Sequence, residues 1–235
     1  MKTSKRNLAH VSRTTGRWAA ISVVLSAVLF AVAGTMRILS IFAYLVAFSA
    51  MLLIAMLSVS PELARERAHH VSDETGNHLR MAAGFFFLLT VISAAFCVSY
   101  LSAKLAVSPS IRCTALAVFI VSSSLQLWAM IANPFFSPVV RLQTEKEHRL
   151  IESGPYRYIR HPGYLAMCIS VPASALAIGS WLALAPATAF VLIIRHRVRV
   201  EEHFLKLNLP AYAEYARRVP SGLPFHLDIE KYCCH

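Results

Sequence analysis

Long apolar runs alternate with short polar segments along most of the chain. Four runs lie near Trp18–Thr35, Ile38–Val59, Met81–Leu101 and Cys113–Ala132, and a fifth extends over Tyr164–Ile194. A helix needs about 20 residues to cross the hydrocarbon core of a bilayer, so each of the first four runs predicts one spanning helix. The pattern therefore predicts an all-α integral membrane protein with about five to six transmembrane helices.

The fifth run is too long for one ordinary span and too short for two full ones. A Gly179-Ser180 pair stands near its middle, with Pro172 and Pro186 on either side. Glycine and proline interrupt regular helix, so this arrangement favours a tight helical hairpin whose arms are bent at the two prolines. A single kinked and strongly tilted helix is the alternative.

Composition and charge support a membrane location. The chain is 57% hydrophobic and 15% charged, whereas soluble domains carry roughly a quarter charged residues. Of its 23 Lys and Arg, only Arg37, Lys104 and Arg112 fall on one side of the predicted spans, and the remaining 20 fall on the other. The positive-inside rule then places both termini and both long loops in the cytoplasm. The membrane is the inner one in a bacterium and that of the endoplasmic reticulum in a eukaryote.

The same distribution explains the net charge of +11. It reflects topology and attraction to anionic lipid, and it argues against a nucleic-acid partner. The chain is interpreted as one domain with two parts, residues 1–132 and 133–235. The first part is predicted to be a scaffold of four transmembrane helices. The second part has the polar loop, the hairpin and C-terminal helices on the cytoplasmic side.

Three breaks divide the polar loop of the second part. Asn133-Pro134 ends the fourth span, Gly154-Pro155 forces a turn, and His161-Pro162 precedes re-entry into the membrane. Beyond the hairpin, Arg195–Leu209 is predicted to be helical, and Pro210 begins a further helix that Pro220 closes.

Polar side chains concentrate in residues 148–164 and again around Arg197 and Glu201. Tyr and Arg in the loop could form an interfacial belt, but two fixed turns within eight residues favour a preorganised pocket. Arg197 and Glu201 have the spacing of an ordinary helical ion pair. They also share one helix face just below the membrane, where they could contact oppositely charged parts of two ligands.

No metal site is expected. His69, His70, Asp73, Glu74 and His78 have the right side chains, but their spacing matches no standard closed ligand set. The five cysteines form neither a zinc spacing nor a disulfide framework. Cys233 and Cys234 are interpreted as an ordinary reduced tail, with palmitoylation as the alternative.

A resemblance to a known family is carried by four strings. They are Asn133-Pro-Phe-Phe-Ser-Pro-Val-Val-Arg141, His148-Arg-Leu-Ile-Glu-Ser-Gly-Pro-Tyr-Arg-Tyr-Ile-Arg-His-Pro-Gly-Tyr164, Glu201-Glu202 and Tyr212-x-x-Tyr215. They resemble the isoprenylcysteine carboxyl methyltransferase family, part of a wider group of integral membrane methyltransferases that includes phospholipid N-methyltransferases. The run Arg218-Val-Pro-Ser-Gly-Leu-Pro-Phe225 resembles the C-terminal signature of the isoprenylcysteine enzymes. The resemblance covers roughly residues 133–225.

The resemblance implies S-adenosylmethionine as the methyl donor, bound without a Rossmann fold. By family analogy Glu201 would hold its amino acid end, and Arg197 would be the catalytic and substrate-binding residue that meets the acceptor. The other implied cofactor-binding residues are Gln143, His148, Arg149, Leu150, Ile151, Tyr156, His161, Pro162, Gly163 and Tyr164.

The chemistry of these side chains is compatible with those roles. A carboxylate suits the ammonium of the methionine moiety, an aromatic face attracts a sulfonium cation, and a guanidinium clamps a carboxylate in bidentate geometry. The implied acceptor is a prenylated, lipid or other lipophilic molecule that reaches the site laterally between helices. A phospholipid amine, a small thiol, and a non-catalytic transporter or assembly protein of the same fold are the alternatives.

Overall fold

The computed structural model describes residues 2–36, 38–58, 74–101, 107–135, 150–219 and 222, with side chains from Thr14 onward in the first helix and from Asn77 onward in the third. Within these ranges the regular structure consists of seven α-helices and one short 3-10 helix. The α-helices are α1 (Lys2–Ala33), α2 (Leu39–Ser58), α3 (Glu74–Tyr100), α4 (Pro109–Ala132), α5 (Pro162–Ile178), α6 (Leu184–Asn208) and α7 (Pro210–Arg218), and the 3-10 helix is Gly154–Arg157. The predicted all-α class is confirmed.

Four helices are long and apolar enough to cross a membrane. Their spanning segments are Thr14–Ala33, Leu39–Ser58, Asn77–Tyr100 and Pro109–Ala132, which correspond to the four predicted runs. Helix α5 is apolar but has 17 residues, fewer than a full crossing requires. The described chain thus contains four helices of spanning length and a shorter fifth apolar helix.

The fifth apolar run forms a helical hairpin. Helix α5 ends at Ile178 and α6 begins at Leu184, so the alternative of one kinked helix is wrong. Gly179 has φ +125°, and a Cβ there would lie 2.8 Å from the Arg112 guanidinium carbon. Only glycine satisfies both the backbone angle and the close approach. The turn therefore depends on a residue without a side chain.

Helix α6 continues without a break from the apolar arm into the charged segment. Residues predicted as a separate helical stretch after Ile194 extend the same helix to Asn208. Pro172 lies inside α5, as expected of a bend. Pro186 lies in the first turn of α6, where a missing N–H removes no helical hydrogen bond. It therefore marks the start of a helix, and the prediction that it bends the second arm is wrong.

Small side chains allow the central helices to approach closely. Helix α4 packs chiefly against α5, and α3 packs against α6. Buried α5 residues are mostly Ala, Ser and Gly, including Ala166, Ala175 and Ser174. Without a hydrophobic driving force in lipid, close packing of small residues is what holds such helices together. Helix α5 is consequently the central element of the bundle.

Large apolar side chains also point outward from the bundle. Val23, Phe42, Phe85 and Val121 are all more than half exposed. In water these side chains would be unfavourable on the surface, but in a bilayer they face lipid. The outer surface thus has the character of an integral membrane protein.

Candidate functional site

A cavity of about 770 Å³ opens at one end of the bundle. Its wall includes Arg17 near the start of the first span, Met56 at the end of α2, Arg80 at the start of the third span and Asn133 after α4. These positions all lie at the same end of antiparallel helices. Ligand pockets in proteins have volumes of about 300–1,000 Å³, so the cavity is large enough for a substantial ligand.

Every predicted site residue within the described ranges lines this one cavity. These residues are Leu150, Ile151, Tyr156, His161, Pro162, Gly163, Tyr164, Arg197 and Glu201. The remaining three predicted residues, Gln143, His148 and Arg149, lie outside the described residues. The fold therefore gathers residues that are separated by up to 51 positions in the sequence.

The two predicted turns set the geometry of the loop wall. Gly154-Pro155 opens the 3-10 helix that buries Tyr156, and His161 is the N-cap of α5 with Pro162 at its first position. The Tyr156 hydroxyl donates to the carbonyl of Ala129 at 3.4 Å and accepts from Asn133 Nδ2 at 3.3 Å. Burial raises the pKa of Tyr156, so its hydroxyl stays neutral. The loop is thereby tied to the end of α4.

Tyr164 joins the two charged residues of the predicted site. Its hydroxyl donates to Glu201 Oε2 at 2.6 Å and accepts from Arg197 Nε at 2.9 Å. The Arg197 guanidinium carbon also lies 5.7 Å from the centre of the Tyr164 ring. One phenol thus holds a carboxylate and a guanidinium side by side in the cavity wall.

The neighbouring Glu202 belongs to a different, buried network. Its Oε1 accepts from Arg160 Nε at 2.9 Å and Nη2 at 2.8 Å, and His161 Nε2 lies 3.1 Å away. Glu202 is 4% exposed and Arg160 is 6% exposed. Sequence reasoning assigned no role to this pair. The only available signal was the presence of an arginine beside the His161-Pro162 break and of two adjacent glutamates.

Burial alone raises the pKa of Glu202, but the hydrogen bond and charge from His161 and the charge of Arg160 outweigh it. The resulting pKa is lowered to about 2. Glu202 is therefore ionised at neutral pH, even though it is buried. The residue lies beyond the apolar arm of α6, in the charged part of that helix.

Arg160 also fastens the C-terminal part of the chain to the loop. Its Nη1 donates to the carbonyls of Val219 at 2.7 Å and Ala216 at 3.4 Å, at the end of α7. A Cβ on Gly222 would lie 2.9 Å from Arg160 Nη2 and 3.1 Å from Glu202 Oε1. Gly222 therefore packs directly on the ion pair, which gives a physical reason for the glycine in the C-terminal signature.

Two tyrosines of α7 complete this side of the cavity. The Tyr215 hydroxyl donates to the carbonyl of Tyr156 at 2.6 Å, and the Tyr212 hydroxyl lies 3.4 Å from His161 Nε2. Both rings are buried and both line the cavity. Pro210 begins α7 as predicted, whereas Pro220, predicted to close it, lies outside the described residues.

The deeper wall of the cavity is mostly apolar, with Ser123 and Gln126 of α4 and Ser170 of α5 as its polar members. It is formed by Phe48 and Leu52 of α2, Phe87 of α3, and Phe119 and Met130 of α4. Hydrogen-bonding and charged groups therefore line one part of the cavity and hydrocarbon lines another. Such a wall accommodates a polar and an apolar ligand, or an amphiphile.

Within the described part of the chain, no group of three or more His, Cys, Asp or Glu is placed to hold a metal ion. Of the residues considered as metal ligands from the sequence, His69, His70 and Asp73 lie outside the described residues. Cys97, Cys113 and Cys168 are free thiols.

The fold and the cavity define the class of protein. It is an all-α integral membrane protein with a buried polar site at one end of its helices, formed by a loop and two helices that follow the fourth span. Residues 115–207, which contain that loop and the charged part of α6, match the sequence model of the isoprenylcysteine carboxyl methyltransferase family. The match confirms the predicted resemblance to that family over this segment of the chain.

The relatives that match this segment have two kinds of name, isoprenylcysteine O-methyltransferase and metal resistance protein. The chain is 35% identical over 96 residues to protein-S-isoprenylcysteine O-methyltransferase B of Arabidopsis thaliana, covering 40% of this chain and 49% of that one. It is 30% identical over 98 residues to the Schizosaccharomyces pombe enzyme, covering 40% of each. It is also 37% identical over 84 residues to the cobalt-zinc-cadmium resistance protein CzcN of Cupriavidus metallidurans, covering 34% of this chain and 37% of that one. The chain spans about half the length of these curated relatives or less.

Proposed function

We propose that the protein is a membrane-embedded methyltransferase that transfers a methyl group from S-adenosylmethionine to a lipophilic acceptor. The observation that carries this proposal is the joined Glu201–Tyr164–Arg197 arrangement in the wall of a cavity with an apolar inner part. The family match covers the same residues. Two charges of opposite sign suit a polar donor, and the hydrocarbon wall suits an apolar acceptor.

The residues present fit the proposed donor. Its ammonium group needs a carboxylate, and Glu201 is half-buried in the cavity wall with one oxygen engaged by Tyr164. Leu150 and Ile151 line the cavity, and we assign their backbone groups to the edges of the adenine. The aromatic faces of Tyr156 and Tyr164 suit a sulfonium cation. Bound here, S-adenosylmethionine supplies an electrophilic methyl group on a positively charged sulfur.

The protein's contribution to the transfer is positioning and exclusion of water. Methyl transfer is an in-line displacement in which the acceptor–carbon bond forms while the sulfur–carbon bond breaks, and the electron pair of the broken bond stays on sulfur. A carboxylate or thiolate acceptor needs no general base. We assign Arg197 to orient such an anion, since a guanidinium binds a carboxylate through two parallel hydrogen bonds.

We further propose that the site faces the cytoplasm. Twenty of the 23 Lys and Arg fall on the side of the membrane that carries the loop and the end of α6. A water-soluble donor then enters from the cytosol, while the acceptor reaches the apolar wall from the bilayer.

The first experiment is calorimetric titration of S-adenosylhomocysteine into the detergent-purified protein. We expect saturable binding that Glu201→Gln weakens strongly, because the isosteric amide carries no charge for the ammonium. Glu214→Gln is the matched control, since Glu214 is exposed on α7 and does not line the cavity. Absence of binding to a folded, monodisperse wild-type protein would overturn the proposal and favour a non-catalytic role of the same fold.

A second comparison separates donor binding from turnover. We expect Arg197→Ala to retain S-adenosylhomocysteine binding and to lose methylation of a farnesylcysteine analogue, because Arg197 is assigned to the acceptor. Arg199→Gln is the control, as Arg199 is exposed on the same helix. An equal loss of binding in Arg197→Ala and Glu201→Gln would show that the two roles are wrongly divided.

A further inference from the structure

Two arginines line the cavity from helices that the family match does not include. Arg17 lies on α1 and Arg80 on α3, whereas the match begins at residue 115. The positive-inside rule accounts for arginines at this level of the membrane. It does not account for arginines whose side chains border the same cavity as Glu201 and Tyr164.

The Arg80 guanidinium is oriented by a neighbouring side chain and is only partly paired within the described residues. Its Nη2 donates to Asn77 Oδ1 at 3.2 Å, one turn earlier on α3, which orients the guanidinium. Its Nε is buried and has no hydrogen-bond partner among the described residues. Buried N–H groups are nearly always paired in folded proteins, and an unpaired one on a charged group is costly. An anion bound at this end of the cavity would give the Arg80 guanidinium a counter-charge and an acceptor for its other N–H groups.

The residues that follow Arg80 along α3 show what kind of molecule would carry that anion. Ala83, Gly84 and Phe87 of α3 line the same cavity. The seven residues from Arg80 to Phe87 correspond to about 10 Å along the helix axis. Met56 and Phe48 of α2 line the same cavity, and the ring centroids of Phe48 and Phe87 are 6.2 Å apart. The charged end of the cavity, at the membrane interface, thus continues into an apolar slot between α2 and α3.

We propose that Arg80, assisted by the exposed Arg17, forms an anion-binding subsite that holds the acidic head group of the lipophilic methyl acceptor. The head group is a phosphate or carboxylate distinct from the reacting anion that Arg197 orients, and the attached chain occupies the slot between α2 and α3. The subsite lies outside the segment shared with the family, so it selects the acceptor of this particular chain. The identification of the bound molecule as the methyl acceptor rests on the proposed function. The binding site itself is tested by ligand binding, without a turnover assay.

The test compares binding of dodecyl phosphate, dodecanoate and dodecanol to the protein in an uncharged maltoside detergent, with bound amphiphile counted by native mass spectrometry. A guanidinium–oxyanion hydrogen bond corresponds to about a ten- to hundredfold gain in affinity, so the two anionic amphiphiles should bind that much more tightly than the alcohol. Arg80→Gln should remove the difference, and Arg17→Gln should reduce it. Arg199→Gln, which changes an exposed arginine outside the cavity, should leave it unchanged.

Several outcomes would overturn the subsite. They are a preference for anions that survives Arg80→Gln, displacement of dodecyl phosphate by an equal concentration of inorganic phosphate, and loss of S-adenosylhomocysteine binding in folded Arg80→Gln. The second would show that free phosphate is the ligand, and the third would place Arg80 in the donor site. Arg80→Lys keeps the charge without the two-pronged geometry, and a several-fold loss of the preference there supports the proposal if Arg80→Gln does not purify. Failure of the proposed function is seen separately, as wild-type protein that binds dodecyl phosphate but not S-adenosylhomocysteine.

Discussion

Adjacent glutamates on α6 provide the sharpest test of the assigned roles. Glu202 is 4% exposed, and its Oε1 accepts from two Arg160 nitrogens at 2.8 and 2.9 Å. Glu201 is half-buried in the cavity wall and accepts from Tyr164. The isosteric substitutions Glu201→Gln and Glu202→Gln change the same atoms at successive positions. We expect the first to impair binding and the second to impair stability.

The expected loss of stability depends on which neighbouring group loses its charged partner when each glutamate becomes an amide. Glu202→Gln leaves the Arg160 guanidinium buried without a counter-charge, and breaking a buried ion pair costs about 3–5 kcal/mol. The amide oxygen still accepts a hydrogen bond, so the lower end, about 3 kcal/mol, is expected. This corresponds to a fall of about 6–12 °C in the thermal midpoint for a chain of this size. Glu201→Gln keeps an acceptor for Tyr164 and should cost less than about 1 kcal/mol.

The assay is loss of the monodisperse gel-filtration peak after heating at a fixed rate, combined with S-adenosylhomocysteine titration. Glu202→Gln should show the lower midpoint, and, at a temperature where it is folded, affinity within a few-fold of wild type. Glu201→Gln should show the wild-type midpoint and strongly weakened affinity. A Glu202→Gln midpoint equal to that of wild type would refute the assignment of a stabilising ion pair, and equal effects of both substitutions would refute the division of roles.

Three further outcomes are expected. Because the pKa of Glu202 is lowered to about 2, its stabilising effect is present above the ordinary carboxyl range and is lost as the pH falls toward 2. The thermal midpoint of wild type should therefore drop more steeply below pH 4.5 than that of Glu202→Gln, and parallel curves would contradict the shift. Gly222→Ala should lower the midpoint by an overpacking cost of about 1–3 kcal/mol, since its Cβ would meet Arg160 and Glu202, and an unchanged midpoint would contradict the contact. Tyr164→Phe should weaken S-adenosylhomocysteine binding by about tenfold in calorimetry with little loss of stability, because it removes the hydroxyl that orients Glu201, and unchanged affinity would contradict that role.

Local backbone signals were the most reliable part of the sequence. Asn133-Pro134 ends α4 at Ala132, Gly154-Pro155 opens the 3-10 helix, and His161-Pro162 starts α5. Proline and glycine act through the conformation of one or two residues, so their effect is readable without the rest of the fold. Hydrophobic run length is equally local, and it predicted the four spans. The same logic failed at Pro186, because the effect of a proline depends on its distance from the helix start.

Long-range partners were not readable in the same way. Arg160 and Glu202 are 42 positions apart, and nothing near either residue predicts the other. Successive side chains on a helix point about 100° apart, so Glu201 and Glu202 lie on different faces of α6. Which one faces the cavity depends on how α6 rotates against α5 and α7. The cavity-facing position of Arg80 is likewise a consequence of packing between helices distant in sequence.

The order of hydrogen bonds in the site explains why its two charges are not equivalent. Arg197 donates to the Tyr164 hydroxyl, and that hydroxyl donates to Glu201, so the carboxylate stands at the accepting end of the chain. Loss of Arg197 leaves the bond between Tyr164 and Glu201 intact, so the carboxylate is expected to keep its orientation toward the ammonium of the proposed donor. Loss of Glu201 removes the acceptor of the Tyr164 proton and the negative charge beside Arg197 together. A residue at the accepting end is therefore expected to affect donor binding directly, whereas one at the donating end acts on the carboxylate through the phenol.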